Sequence, residues 1–205
     1  MSRHASLHII VLAAGAATRF GRPKQLAVLD GRPLLMHAVG RALEVAGSAV
    51  SVVIGAHANL IAPVLNRCNA SVIVNRGWEE GIASSIRLAV QRLPGACDGA
   101  MLLLADQAGV TAADLQQLAD LWQRQPNVIV AARYAGALGV PAIFPRVLFG
   151  ELLELRGDRG AQVLLRRHTS RLAALPMPAA AQDVDTPDDL KRLIGERQTP
   201  AGGVH

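Results

Sequence analysis

Leu7-His8-Ile9-Ile10-Val11-Leu12 runs directly into Ala13-Ala14-Gly15-Ala16-Ala17-Thr18-Arg19-Phe20-Gly21-Arg22-Pro23-Lys24, and this junction decides how the rest of the chain reads. The first run is β-rich, apolar and of strand length; at Ala13 the composition changes abruptly to small residues and glycine. The pattern predicts a buried strand that opens into a loop. Small side chains there let a ligand lie against backbone N–H groups, and successive N–H groups in such a turn form an anion-binding nest. Arg19, Arg22 and Lys24 add fixed positive charge. Together these features predict a polyphosphate site.

Two familiar phosphate loops do not fit. Five residues separate Gly15 from Gly21, and the following lysine precedes Gln25 rather than Ser or Thr, so the Walker pattern fails. No third glycine stands in register for the dinucleotide fingerprint. The stretch instead resembles the opening loop of nucleotidyltransferases with an NTP-transferase domain of the molybdenum-cofactor type, roughly L-A-A-G-x-S/T-x-R-x-G-x-x-K-Q. The matches are Leu12, Ala13, Ala14, Gly15, Thr18, Arg19, Gly21, Lys24 and Gln25.

Working outward, the 205 residues suffice for one α/β domain that folds without a metal or disulfide staple. We expect a single Rossmann-like domain over residues 1–197 and a mobile tail over 198–205. No run approaches the ~18 apolar residues of a membrane helix, and Met1 to Leu7 lacks the apolar core of a secretory signal. The expectation is a cytoplasmic protein with no membrane partner. Cys68 and Cys97 read as unpaired thiols. Net charge is +5 and the pI about 10.2, but the basic residues are scattered and only 3% of residues are aromatic. Nucleic acid is therefore not the expected partner, and small anionic substrates account for the charge.

Strand-length apolar runs alternate with helical periodicity, which predicts a mainly parallel central sheet with helices on both faces. Strands are expected near Val50–Gly55, Ala70–Val74, Gly99–Ala105 and Val128–Ala132. Helices are expected over about 33–46, where His37 reads as a surface or packed histidine rather than a catalytic one, and over about 58–67. His57, just past Gly55 at the carboxyl edge of the sheet, is a weak candidate for touching a nucleotide.

Four further stretches carry chemistry. Asn75-Arg76-Gly77-Trp78-Glu79-Glu80-Gly81-Ile82-Ala83-Ser84-Ser85-Ile86-Arg87 places a turn-forming glycine before two hydroxyls at a helix start, where N–H donors are free. Gly81 and Ser85 are the nucleotide-contact candidates, against a plain Ser cap. The segment is similar to N-x-x-W-x-x-G-x-x-S-S-[LI]-R of the cytidylyltransferase branch. Asp106, at the end of the apolar run from Gly99, is costly to bury without a cation, and Mg²⁺ held by one or two carboxylates with substrate phosphates would compensate it. The family writes D-Q-P there, and Ala108 stands in place of the proline. Gly136 to Phe144 resembles G-x-x-G-x-P-x-x-F, which lines the acceptor side in the family and makes Gly139 and Pro141 the acceptor-binding candidates; an ordinary hairpin is the alternative. Gly157-Asp158-Arg159-Gly160-Ala161 resembles a G-D-x-G-A turn in which Asp158 reads as a helix N-cap. In Asp183-Val184-Asp185-Thr186-Pro187-Asp188-Asp189-Leu190, Thr186 and Pro187 start a helix, and the resemblance makes Asp185 the second metal carboxylate.

The resemblance implies transfer of CMP from CTP to the phosphate of molybdopterin, with release of pyrophosphate. Lys24 and Arg19 are its catalytic residues. Leu12, Ala13, Ala14, Gly15, Lys24, Gly81, Ser85 and Asp106 bind the nucleotide, and Asp106 and Asp185 hold Mg²⁺. CTP and molybdenum cofactor are then the small-molecule partners, with transient contact to a molybdoenzyme or its chaperone. The alternatives are a nucleotidyltransferase acting on a sugar phosphate or other small phosphate ester, and a non-catalytic nucleotide-binding accessory protein.

Overall fold

A computed structural model describes residues 4–198. Its first strand, β1 (Leu7–Ala13), is covered on both faces. Ile9 and Val11 face one core cluster and Ile10 and Leu12 the other, as the two-residue period of a strand requires. After the loop, β2 (Val28–Leu29) and β3 (Arg32–Pro33) form a small ribbon whose turn, Asp30-Gly31, has both residues at positive φ. Asp-Gly favours that hairpin geometry. α1 (Leu34–Ala46) then buries Leu34, Leu35, Ala38, Val39 and Ala42 along one stripe, with Pro33 just outside it as the N-cap residue.

β4 (Val50–Ile54), α2 (Ala58–Leu65), β5 (Ser71–Val74), α3 (Ile82–Gln91) and β6 (Gly99–Leu104) follow. The chain continues through α4 (Ala112–Arg124), β7 (Ile129–Tyr134), β8 (Ala137–Pro145), α5 (Phe149–Leu153), α6 (Gln162–Arg167), β9 (Leu172–Pro176) and α7 (Pro187–Gln198). Gln198 is still helical, and the rest of the expected tail lies outside the described residues.

The seven-stranded sheet runs β5-β4-β1-β6-β8-β7-β9. β1 pairs in parallel with β4 and β6, β4 with β5, and β7 with β9. β8 is the one reversed strand, antiparallel to both β6 and β7, so the Gly136–Phe144 stretch is a hairpin arm. From β1 the chain builds outward through β4 and β5, then crosses back to place β6 on the other flank of β1. The strand order thus reverses beside β1, and open α/β sheets bind ligands at such a switch point, outside the carboxyl ends of the strands.

Helices cover both faces. α1, α2 and α4 supply one core cluster through residues such as Leu35, Ile61 and Trp122; α3, α5 and α6 supply the other through Ile86, Leu152 and Leu164. A third, smaller cluster joins Phe20, Leu29 and Leu34 to Val184, Leu190 and Leu193. This cluster fastens the N-terminal loop to the last helix. Cys68 and Cys97 are free thiols. His37 bonds the Leu29 carbonyl at 2.7 Å. Among the described residues no helix is long and apolar enough to cross a membrane.

Candidate active site

A cleft of about 450 Å³ opens at the switch point, between the carboxyl ends of β1 and β6. Leu12, Ala13, Ala14 and Gly15 form its floor. The loop is braced from beneath by Gln25, whose Nε2 donates to the Ala13 carbonyl at 3.0 Å and the Gly15 carbonyl at 2.8 Å. These two bonds leave the loop's N–H groups, rather than its carbonyls, for a ligand. Gln25 stands in the sequence motif, but no local pattern there points to this role.

At one end of the cleft Lys24 stands between two carboxylates. Its Nζ donates to Asp106 Oδ2 at 2.6 Å and to Asp185 Oδ1 at 2.9 Å. The Lys24 and Asp106 side chains are each 17% exposed and that of Asp185 40%. Burial works against the lysine's charge, but the two carboxylates outweigh it and hold the ammonium above its ordinary range. In return the hydrogen bond from Lys24 keeps Asp185 below the usual carboxylate range, despite partial desolvation. Arg19, 76% exposed, stands at the rim, 3.5 Å from Asp185 Oδ2. Arg22 does not join them: its guanidinium lies over the Phe20 ring at 5.8 Å. The loop therefore brings two cations to the cleft, not three.

Local structure explains the placement of both carboxylates. Asp106 follows β6, and its carbonyl accepts from Ala108 N at 2.8 Å and from Val184 N at 3.1 Å. The turn closes without the family's proline, since alanine supplies the N–H that proline lacks. Thr111, not Asp106, caps α4, in a reciprocal box with Asp114, which leaves the Asp106 carboxylate to the cleft. Asp185 is set by a second box: Asp189 Oδ2 accepts from the Asp185 and Thr186 N–H groups, while Thr186 Oγ1 accepts from Asp189 N at 3.2 Å. Thr186→Ala is accordingly expected to cost about 1 kcal/mol, or roughly 2–4 °C in Tm for a chain of this size. Thr186→Ser should keep the box and the Tm, as a thermal melt would show.

Asp183 makes a single antiparallel bridge with Gln107. It retains an open side, yet surrounding protein and then the like charges of Asp106 and Asp185 push its carboxyl up to about 6, against the pull of Lys24.

The residues present fit a divalent metal. Asp106 Oδ1 is buried and, among the described residues, has no hydrogen-bond partner, an unusual state for a carboxylate oxygen. Asp106 and Asp185 already converge on a single cation, the Lys24 ammonium. Among the described residues no group of three or more His, Cys, Asp or Glu forms a protein cage. Two carboxylates completed by water and phosphate oxygens are the environment Mg²⁺ prefers.

The other end of the cleft is built around Gly81. Its φ of 107° and ψ of 178° belong to a region open to glycine alone. A Cβ there would also collide with Asp158 Oδ1 and with the Gly157 backbone. Gly55 plays a matching part behind the cleft residues Trp78 and Ala14, which a Cβ there would strike. Asn75 Nδ2 donates to Ser84 Oγ at 2.8 Å and to Ser85 Oγ at 3.0 Å. Ser84 in turn donates to the Gly81 carbonyl and is structural, whereas Ser85 lines the cleft.

Several expectations are redirected here. α6 is capped by Ala161 without a side chain; Asp158 is not its N-cap but a cleft residue lying over Gly81. Arg87 forms a two-point ion pair with Glu80, at 2.7 and 2.6 Å, and donates to the Leu155 carbonyl, which makes it a scaffold residue. His57 is exposed, at the start of α2, and is not part of the cleft wall. Gly139 and Pro141 are buried in β8 and do not line the cleft. They connect to it through Gln107, whose Nε2 donates to the Val140 carbonyl at 2.8 Å and to the Ala180 carbonyl at 3.0 Å.

Known proteins share this fold. The model of the MobA-like NTP transferase domain matches residues 9–172. The crystal structure of Rv0371c from Mycobacterium tuberculosis H37Rv superposes with a TM-score of 0.81 at 31% identity, covering 94% of this chain and 100% of that one. A structure of Rv0371c in complex with manganese superposes with a TM-score of 0.78 at 29% identity, covering 93% and 99% of the two chains. Nicotine blue oxidoreductase of Paenarthrobacter nicotinovorans is 29% identical over 197 residues, which span 90% of this chain and 95% of that protein.

Proposed function

The chain belongs to the MobA-like NTP transferase domain family, a family of nucleotidyltransferases, and from that premise we propose that it transfers CMP from CTP to the terminal phosphate of molybdopterin, releasing pyrophosphate. The observation that carries the reading is Lys24 held between Asp106 and Asp185 at the mouth of the small-residue loop. Transfer brings two anions together, so the demands on the protein are charge neutralisation and in-line positioning. An acceptor phosphate oxygen attacks the α-phosphorus, and the bond to the α,β-bridging oxygen breaks. Lys24 and Arg19 offset the charge that gathers on the α-phosphoryl and the departing pyrophosphate. Asp106 and Asp185 would hold a divalent metal, Mg²⁺ or the manganese found with Rv0371c; bound there, the ion supplies Lewis-acid charge to the phosphate oxygens. The acceptor phosphate is ionised at neutral pH and needs no general base, and among the described residues no histidine lines the cleft.

Cytidylyl transfer is favoured by Leu12-Ala13-Ala14-Gly15, with alanine where the guanylyl branch commonly has a second glycine, and by the Trp78–Arg87 segment. The dinucleotide product would pass to a molybdoenzyme or its chaperone. The Paenarthrobacter relative favours a second reading, oxidoreduction, for which the loop lacks the dinucleotide fingerprint.

One panel separates these readings: CTP, GTP, ATP and UTP, each with Mg²⁺ and molybdopterin cofactor or a sugar phosphate, with pyrophosphate measured. Release of pyrophosphate from CTP and the pterin is expected. Preference for GTP overturns the cytidylyl assignment, and turnover with the sugar phosphate alone moves the acceptor. Oxidation of a reduced nicotinamide by nicotine blue, with no pyrophosphate in any arm, would replace the transferase reading altogether.

A further inference from the structure

Resting on the nucleotide site proposed above, we infer that Asp158 and Ser85 read the base edge of the nucleotide, with Asp158 accepting from its exocyclic amino group. The two ends of the cleft differ in charge. Lys24 and Arg19 stand at one, while Glu79 and Asp158 stand at the other, where among the described residues no cation lines the wall beside them. The start of α3 is thus not a phosphate site, and two of its first N–H groups are already taken, Ala83 N by the Gly157 carbonyl and Ser84 N by the Gly81 carbonyl, each at 3.1 Å. The Asp158 carboxylate already lies over Gly81 at that helix end, fixed there by the bond from Ala83 N to the Gly157 carbonyl at 3.1 Å. A second phosphate-sized anion would meet like charge on arrival. A neutral group that offers N–H would not.

Ser85 supplies the complementary half. It is 2% exposed and lines the cleft. Its oxygen accepts from Asn75 Nδ2, and among the described residues no acceptor takes its hydrogen. Buried hydroxyls seldom leave a donor unused, so the hydrogen is available to a ligand. Asp158, likewise without a partner among the described residues, offers only acceptors. Ser85 and Asp158 together therefore present one donor and one acceptor. Cytosine matches it with N3 as acceptor and the N4 amino group as donor. A site built on polar pairing rejects an analogue that leaves a group unpaired far better than an apolar pocket rejects a change of size.

The test is the CTP-to-UTP preference, because these bases exchange amino for oxo at one position. Titration calorimetry of Mg²⁺·CTP and Mg²⁺·UTP onto the full chain is expected to show at least tenfold tighter binding of CTP. In Asp158→Asn, whose amide can donate to the uracil O4, the ratio should fall tenfold or more through a gain for UTP as well as a loss for CTP. In Asp158→Ala it should fall without the UTP gain. Removing a negative charge near a triphosphate strengthens binding of both nucleotides alike, so the ratio isolates base reading from that general effect. An unchanged ratio in Asp158→Asn, or a wild-type preference for UTP, overturns the assignment of Asp158. Wild-type protein that binds none of the four nucleotides instead removes the nucleotidyl-transfer reading on which this one stands.

Discussion

Lys24→Ala is expected to lower pyrophosphate release by about 10²–10³-fold, the usual cost of removing one preorganised charge from a developing oxyanion. The same change should uncover the electrostatics of the resting site. Without the ammonium, Asp106 and Asp185 face each other with Asp183 close by, and breaking such a pair costs more than the pair itself contributes. Allowing for the open side of Asp185, a loss on the order of 2 kcal/mol follows, or roughly 4–8 °C in Tm. The loss has a definite pH sign. Asp185 is depressed in the folded state, chiefly by the hydrogen bond from Lys24. Its contribution is therefore present above its ordinary value of 3.8 and fades as pH falls below that value toward the folded one. The gap between wild type and variant should be widest near neutrality and close in acid. Added Mn²⁺ should raise the Tm of the variant more than that of wild type, because the metal then replaces a missing cation rather than competing with a resident one. A variant with wild-type turnover, or one whose Tm ignores both pH and Mn²⁺, would remove Lys24 from the centre of the site.

Asp106→Asn separates metal binding from lysine positioning. The substitution keeps the shape of the side chain and removes its charge, while Asp185 remains to hold Lys24 at 2.9 Å. The buried Oδ1 that lacks a partner among the described residues is the oxygen we expect to meet the metal. Mn²⁺ affinity in the presence of CTP, followed by paramagnetic resonance, should fall at least tenfold, since neutral amide oxygens are much poorer ligands than carboxylates for such ions. Turnover should fall by about 10³-fold, with little change in Tm at neutral pH. Undiminished Mn²⁺ binding would mean that Asp106 serves only as a counterion to Lys24.

Much of this site is legible in order along the chain. The β1 strand and the loop after it are local patterns: alternation of Ile9, Ile10, Val11 and Leu12 between two core faces, then a run of small residues. The Thr186–Asp189 box is equally local, four consecutive residues carrying their own capping partners. Where local pattern misleads, a distant contact overrides it. Gly157-Asp158 has the composition of a helix start, but docking of the Gly157 carbonyl on Ala83 N moves the carboxylate to the far wall of the cleft. Arg22 sits three residues from Arg19 and turns outward over Phe20, because that ring is 4% exposed and fixed in the small third core.

Sequence alone determined the alternating α/β plan, the small-residue loop after β1 and the identities of the charged residues, because each depends on side chains within a few positions of one another. Only the tertiary structure decided that Lys24 meets Asp185 across 161 positions of chain, and that Ser85 and Asp158 border one cleft. The physical reason is the same in both cases. Burial of Phe20 and Leu29 against Val184, Leu190 and Leu193, and of the 157–158 turn against α3, brings these groups together. No local propensity encodes a contact whose driving force is apolar surface supplied by the opposite end of the chain.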